Sequence, residues 1–346
     1  MESKSPSISW WRPLIATALG CVLAVACDEA KEPVVESSDL RAEELDARCE
    51  FLVRCHFMPD RDTCMASEAP DAGLTQAIGT SGFDRVGYDP ELAAAWIATL
   101  RDLSCDATVE NFRALADARA PVFGGRIESG GSCFADEECR GDAICDRAAC
   151  PGGQVCCTGS CVEWQVLGVG QTCPLPQDGV RLSAGCEDAA YCQVPADDGS
   201  GVPPTSGTCL ARADNGLPCD AVDGCLDGQR CNVGGSGNCY KLSASGEMCN
   251  PQLAQGSCVA INEVCSPSSS TCVAAPGPGE ACVAGRCAPY AICMDDTTCL
   301  ARPRAGEACD GSIPCLGDLG CTDNVCQLSS VEVVCVSGDP PPPPMM

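Results

Sequence analysis

The chain is 346 residues long and carries 34 cysteines, a density that predicts a disulfide scaffold folded outside the reducing cytosol. Its 48 acidic residues outnumber its 21 basic residues, and the resulting net charge of -27 would repel the phosphates of nucleic acid. A single histidine, His56, excludes most Ser-His-Asp, Cys-His and multi-histidine metal sites, so we expect no catalytic residue, no metal site and no cofactor.

The first 26 residues have the pattern of an export signal. Lys4 and Arg12 supply positive charge ahead of an apolar run of 13 residues at 14–26. A helix that spans a bilayer needs roughly 20 apolar residues, so this run fits the apolar centre of a signal peptide instead. We predict that residues 1–26 are a signal peptide and that the rest of the chain is exported.

Residues 23–27, with the sequence LAVAC, resemble the lipobox of bacterial lipoproteins. The resemblance implies that Cys27 is lipidated, becomes the mature N-terminus and anchors the chain to the bacterial envelope. We expect the outer membrane or the cell surface rather than the inner membrane. Ala24 stands where leucine is most usual, Cys21 is a second candidate for the lipid, and an ordinary cleaved signal is the alternative. Residues 27–38 then form an acidic tether.

Residues 39–125 hold only four cysteines and show the period of α-helices. Three stretches have an apolar face: Leu45, Cys49, Leu52 and His56 in the first, Leu92, Trp96, Leu100 and Leu103 in the second, and Val109, Phe112 and Leu115 in the third. Asp89 followed by Pro90 is typical of a helix start. Residues 71–88 show no clear period. We predict a small α-helical module.

The core of this module is expected around Phe51, Trp96 and Phe112. Its cysteines can form two disulfides in three ways, and the four are Cys49, Cys55, Cys64 and Cys105. We expect one bridge from Cys55 to Cys64 across a helical hairpin and the other from Cys49 to Cys105. His56 has no second histidine with which to share a metal, so we expect it to be structural or simply exposed.

Residues 126–336 contain six cysteine-rich repeats in one frame. A glycine precedes each unit by three residues, and nine residues separate each of the last four units from the unit before it. The last four units contain Cys219, Cys225, Cys231 and Cys239; Cys249, Cys258, Cys265 and Cys272; Cys282, Cys287, Cys293 and Cys299; Cys309, Cys315, Cys321 and Cys326. Two earlier units, which open at Cys133 and Cys173, keep the frame but contain insertions.

These units have too few apolar residues to form a core. The last unit offers only Ile313, Leu316, Leu319 and Val325 as sizeable apolar side chains. A disulfide that closes a loop of ~15 residues contributes about 3 kcal/mol, so two bridges per unit can replace a hydrophobic core. We therefore predict small disulfide-rich repeats with short β-ribbons and little other regular structure, and a positive φ at the repeated glycine.

The frame Gly-x-x-Cys-x5-Cys-x5-Cys-x4–7-Cys, seen most cleanly at residues 306–326, resembles short extracellular cysteine-rich repeats. These are the Dickkopf N-terminal cysteine-rich region, the EB module and truncated EGF-like units. Together with the lipobox and the helical module, the repeats look like the cysteine-rich lipoproteins of some social and predatory Gram-negative bacteria. The resemblance implies a scaffold and does not imply a ligand.

The cysteine count has one irregularity. The first unit holds seven cysteines, and Cys335 stands alone ahead of a proline-rich tail at 337–346. Cys335 and one cysteine of the first unit therefore lack a local partner, and they either pair across the array, pair between molecules or remain thiols. The acidic segments 220–227 and 294–296 lack the pattern of a calcium loop, although weak calcium binding stays open.

These features predict a non-enzymatic, lipid-anchored envelope protein. Its repeat array would act as a binding or adhesion module or as an extended spacer, and its partners would be the membrane, through the lipid, and a protein or glycan, but not nucleic acid. The alternative is a secreted inhibitor or effector that acts on a protease or receptor. Such a protein would use a constrained loop in one of the insertions, Arg147–Gln154 or Ala196–Ser206.

Overall fold

The protein is described by a computed structural model. It covers residues 33–69, 71–81, 84–106, 108–147, 157–175, 184–195, 204–219, 224–232, 236–253, 257–295, 297–328 and 334–335. The predicted signal peptide, Cys21, Cys27, the proline-rich tail and most of the two insertions lie outside the described residues. The predictions made for them therefore stay predictions.

In its described residues, the helical module has five α-helices and a two-stranded sheet. The helices are α1 (Leu40–Arg54), α2 (Arg61–Ser67), α3 (Ala72–Ser81), α4 (Pro90–Asp102) and α5 (Val109–Arg119), and β1 (Val86–Tyr88) pairs antiparallel with β2 (Phe123–Gly125). The predicted start of α4 is confirmed, because the carboxylate of Asp89 accepts hydrogen bonds from the backbone N–H groups of Glu91 and Leu92. A small α-helical module therefore precedes the repeats, as predicted.

Helix α3 lies where the sequence showed no period. Leu74 and Ala77 are fully buried, and so is Thr80. The Thr80 hydroxyl donates to the carbonyl of Gln76 one turn earlier, at 2.9 Å, so this threonine packs like an apolar residue. The helical period is present in the structure, but part of it is carried by small polar residues.

The core of the module differs in part from the prediction. Trp96 and Ile97 of α4 are buried against α1, α3 and β2, but Phe112 is 51% exposed and Leu92 is 37% exposed. Phe51 is half-buried and stacks on Phe57 at 6.4 Å between ring centroids, outside the main core. Apolar spacing gives the period of a helix, but other elements decide which edge of the apolar face is covered.

The disulfide pairing predicted for this module is wrong. The structure pairs Cys49 with Cys64 and Cys55 with Cys105. Cys49 is on the face of α1 that packs on α2, so Cys64 is its neighbour, whereas Cys55 follows the end of α1 and lies beside the segment after α4. His56, next along the chain, is exposed and has a φ of 55°, so it is not part of the α1 face.

All six repeat units contain a short antiparallel ribbon. In each ribbon the third and fourth cysteines of the repeat frame lie opposite each other, for example Cys321 and Cys326. In the first unit, which holds seven cysteines, the four that follow the frame are Cys133, Cys139, Cys145 and Cys161. The ribbons are β4 (Ala143–Asp146) with β5 (Gly159–Glu163), β9 (Ala190–Gln193) with β10 (Ser206–Ala211), β11 (Gln229–Cys231) with β12 (Cys239–Lys241), β13 (Glu263–Cys265) with β14 (Cys272–Ala274), β15 (Ala291–Met294) with β16 (Thr298–Ala301), and β17 (Leu319–Thr322) with β18 (Val325–Leu328).

The first two units carry additional strands. In the first unit β3 (Ser132–Cys133) pairs with β5, and in the second β7 (Thr172–Pro174) pairs with β10. Between these units β6 (Gln165–Leu167) runs parallel to β8 (Ala184–Cys186). The predicted fold class, disulfide-rich repeats with short β-ribbons after a helical module, is confirmed.

Every unit has the same disulfide connectivity, first cysteine to third and second to fourth. The pairs are Cys133–Cys145 and Cys139–Cys161, Cys173–Cys192 and Cys186–Cys209, Cys219–Cys231 and Cys225–Cys239, Cys249–Cys265 and Cys258–Cys272, Cys282–Cys293 and Cys287–Cys299, and Cys309–Cys321 and Cys315–Cys326. The bridges close loops of 11 to 23 residues, the range in which a disulfide contributes about 3 kcal/mol.

The repeated glycine forms the turn that was predicted for it. Its φ lies between 74° and 87° in all six units, a region in which a side chain is strained. In the last unit the Gly306 N–H donates to the carbonyl of Cys326, and the Cys326 N–H donates to the carbonyl of Glu307, both at 2.9 Å. The corresponding pair of hydrogen bonds is present in the other five units, so the turn is held against the fourth cysteine throughout the array.

Neighbouring units are joined through consecutive residues. Between the third and fourth units, the Leu242 N–H donates to Gly228 of the earlier ribbon, and the carbonyl of Ser243 accepts from Val259 of the next unit. The same two bonds occur at residues 212–213, 275–276 and 302–303. These joints therefore contain no free linker residue.

Both ends of the array contact the helical module. Glu138 of the first unit is fully buried and accepts from Arg85 at 2.7 Å. In the last unit, Leu316 packs on Met58 and the Asp318 N–H donates to the carbonyl of Ser67. The array is therefore not the free extended spacer that the sequence suggested, because its last unit is docked on the module that precedes its first.

Candidate functional site

The cysteines predicted to form the disulfide framework are all paired. Cys335 is disulfide-bonded as well, so it is not a free thiol. Its backbone is fixed by Gln76 of α3, which donates to the Cys335 carbonyl at 2.8 Å and accepts from its N–H at 2.7 Å. Sulfur atoms also cluster within units, for example those of Cys133, Cys139 and Cys161, but in a disulfide they are not thiolates that bind metal.

A groove of about 500 Å³ runs between the end of α5 and the ribbon of the first unit. Its lining includes Ala116, Arg119 and Phe123 from the helical module, and Asp142, Ile144 and Trp164 from the first unit. One wall is thus an α-helix held by an apolar core, and the other is a ribbon held by disulfides.

Trp164 is the principal apolar group at the groove and is 40% exposed. It follows β5 and precedes β6, so backbone pairing fixes its position on both sides. Its indole lies against Gly185 of β8: a Cβ atom at that glycine would come within 2.6 Å of the ring. Gly185 therefore allows the ring to rest closely on the strand while its remaining surface is open to solvent.

A second cavity of about 340 Å³ shares Asp142, Ala143 and Trp164 with the groove. It also reaches Glu128, Ser129, Arg140 and Glu163. Trp164 and the edge of the ribbon therefore border two adjoining cavities. We call the two cavities together the Trp164 groove.

The arginines beside the Trp164 groove are engaged by carboxylates of the same region. Arg119 contacts Asp71 at 3.0 Å and Glu137 at 2.9 Å, and Arg140 pairs with Glu128. Burial disfavours the charged form of Arg119, but these two carboxylates outweigh burial and raise its pKa. Burial would likewise raise the pKa of Asp71, yet the contact with Arg119 holds it below its usual value.

Two carboxylates at the Trp164 groove are left without a cation. Asp142 and Glu163 are exposed, and within the described part of the chain neither forms an ion pair or a hydrogen bond. Glu163 lies opposite Ala143 at the end of the ribbon, next to Trp164 in the chain, and Asp142 precedes Ala143. The groove is therefore apolar at its centre and negatively charged beside it.

Sequence reasoning missed this site. After removal of the predicted signal peptide, the chain contains only two tryptophans, Trp96 in the helical core and Trp164 in the array. Repeats that are stabilised by disulfides do not need a tryptophan for a core. The presence of Trp164 among them was therefore the sequence feature that could have indicated a binding site. The groove itself needs α5, which precedes Trp164 by some 45 residues, to face the ribbon.

No protein-family model matches the chain, and no curated protein or solved structure is significantly similar to it. The Dickkopf-like and EGF-like resemblance therefore rests on cysteine spacing alone. The structure itself is that of a cysteine-rich repeat protein, an architecture typical of binding or structural modules, and its disulfides indicate an oxidising environment. Among the described residues, no helix has the length and apolar character required to cross a membrane.

Proposed function

We propose that the protein is a non-enzymatic, lipid-anchored protein of the bacterial envelope that binds a partner through the Trp164 groove. The observation that carries this proposal is a half-exposed tryptophan fixed between two paired strands, at an open groove in a disulfide-held frame. Large aromatic side chains dominate the energetics of many binding interfaces, and a fixed ring loses little conformational entropy on binding.

The chemistry of the groove supports binding rather than catalysis. The only histidine, His56, does not line the groove. Ser129 and Cys139 do line it, but the carboxylate next to Ser129, that of Glu128, is paired with Arg140, and Cys139 is bonded to Cys161, so neither is an activated nucleophile. Burial raises the pKa values of Glu44 and Glu68, but these carboxyls belong to the helical module and its contact with the last unit, not to the groove. A rigid frame with an exposed aromatic ring is suited to contact.

The lipid anchor is tested by metabolic labelling with an alkyne fatty acid in a Gram-negative host. We expect the wild-type protein to incorporate the label and to fractionate with membranes, and Cys27→Ala to lose the label. Cys21→Ala is the matched control and should be labelled normally. Retention of the label by Cys27→Ala would overturn Cys27 as the lipidated residue and point to Cys21, whereas no label on the wild-type protein would overturn the anchor and favour the alternative of a secreted effector.

Binding is tested with the mature chain from Asp28 onward, exported behind an ordinary cleavable signal and labelled at its N-terminus. We expect saturable binding to envelopes prepared from the bacterium that encodes the protein. Trp164→Ser should abolish it, whereas Met248→Ser, which alters a side chain that is 80% exposed in the fourth unit, should not. Non-saturable binding, or equal binding by both variants, would show that the groove is not the contact site.

A further inference from the structure

We infer that the Trp164 groove binds an extended segment of a partner protein that carries arginine or lysine side chains. The inference rests on the proposed function and names the chemistry of the partner. It is carried by the charge of the groove, where Asp142 and Glu163 flank an exposed indole and lack cations of their own.

An apolar or acidic segment does not fit this arrangement. Closing the groove would take the two carboxylates partly out of water, and a carboxylate removed from water without a cation or donor is strongly disfavoured. The nearby arginines cannot compensate, because Arg119 is shared by Asp71 and Glu137 and Arg140 is paired with Glu128. The cation must therefore come from the partner.

Arginine and lysine match both parts of the groove. Their charged groups can pair with Asp142 and Glu163 and can lie over the face of Trp164, which attracts cations. Their aliphatic stems can contact Ala143 and Ile144, apolar residues that line the groove. The net charge of -27 also steers a cationic partner towards the molecule from a distance.

The volume of the groove favours a polypeptide segment over a small amine. Cavities of about 500 Å³ and about 340 Å³ adjoin at Trp164, which is more room than one cationic side chain fills. On the helical wall, Phe112 is 51% exposed and lies one turn before Ala116 on the same face of α5. An extended segment can thus place apolar residues along α5 and basic residues at the carboxylates.

The experiment uses the mature chain from Asp28 onward, in which Trp96 is buried and Trp164 is exposed. The probe is an acetylated and amidated peptide in which leucine and arginine alternate over about eight residues, enough to extend over some 26 Å. Peptides with glutamine or glutamate in place of arginine are the comparisons. Binding is followed through Trp164 fluorescence and by calorimetry.

We expect the arginine peptide to bind and to change the fluorescence of Trp164. The double variant Asp142→Asn with Glu163→Gln should weaken binding by about tenfold or more, since it removes both charge-assisted contacts. The matched control is Asp295→Asn with Asp323→Asn, which removes the same charge from two other hairpins. Both control positions have a positive φ, which asparagine tolerates, so the fold is kept.

Three results would overturn the inference. If the two double variants weaken binding equally, the attraction is a property of the overall charge and not of the groove. If the glutamine peptide binds as tightly as the arginine peptide, the carboxylates are not used. If no peptide binds while Trp164→Ser still abolishes binding to envelopes, the proposed function stands and the basic partner is wrong.

Discussion

The helical module and the repeat array are stabilised in different ways. The module buries apolar residues of several helices and strands around Trp96 and Ile97 and carries two disulfides. In the last repeat unit, by contrast, three of the four buried residues that form the core are cysteines, and Leu319 is the fourth. The difference shows that the same chain can obtain a fixed structure either from hydrophobic burial or from cross-links closing short loops.

Reduction of the disulfides should give the largest difference between the two regions, because it destabilises the repeat array more than the helical module. With all disulfides reduced under native conditions, each unit loses two bridges worth about 3 kcal/mol apiece and has no core to replace them. We expect the N–H groups of Gly306 and Cys326 to lose protection from hydrogen exchange, while those of α4 stay protected. Persistent protection in the ribbons after full reduction would contradict the assignment of their stability to disulfides.

A cavity in the helical core should have the next largest effect. Ile97 is 1% exposed, so Ile97→Ala should destabilise the module by roughly 2–5 kcal/mol, measured by hydrogen exchange in α4. The matched control on the same helix is Leu92→Ala, whose side chain is 37% exposed and should matter far less. Protection within the second to fifth repeat units should not change with either variant.

The glycine turn should contribute a smaller amount to the array. Gly306 has a φ of 80° with open space around it, so Gly306→Ala meets no clash but is strained by about 1 kcal/mol. Gly124→Ala in β2 is the control, because that glycine also has open space but no positive φ. Equal effects of the two variants on exchange at Cys326 would show that backbone conformation is not the cause.

The smallest effect should be a pH dependence of folding stability that is confined to the helical module. Arg119 lowers the pKa of Asp71 in the folded state. The contribution of Asp71 to the free energy of unfolding is therefore fully present above its unfolded pKa of about 3.9 and is lost as the pH falls through the folded value. Asp71→Asn should flatten the acid side of the stability profile of α3. Asp117→Asn, an exposed carboxylate on α5, should leave the profile unchanged.

The repeat array could be predicted from sequence because its determinants are local. Cysteines a few residues apart, with a glycine three residues ahead of the first, allow few backbone arrangements. The short β-ribbon and the positive φ of the glycine could therefore be predicted from them. The connectivity within a unit did not follow from spacing, but once one unit is known the other five repeat it. Local constraints of this kind are what a single sequence conveys best.

The helical module and the groove were less predictable because they depend on contacts between distant residues. Whether Cys49 pairs with Cys64 or with Cys105 is decided by how α1 packs on α2, and no spacing encodes that packing. The period of α3 was hidden by small polar residues such as Thr80, which are buried only because neighbouring elements cover them. The Trp164 groove requires two walls from separate regions.

The joints between units determine where the array tolerates added sequence. At residues 242–243, one residue bonds to the earlier unit and the next bonds to the later unit, so one inserted residue would break the hydrogen bonds on one side. The hairpin between the third and fourth cysteines has no such requirement: it spans 145–161 in the first unit but only 321–326 in the last. Natural variation and engineered grafts should therefore accumulate at the hairpin tips, and the frame can display loops of different length while the spacing between units is preserved.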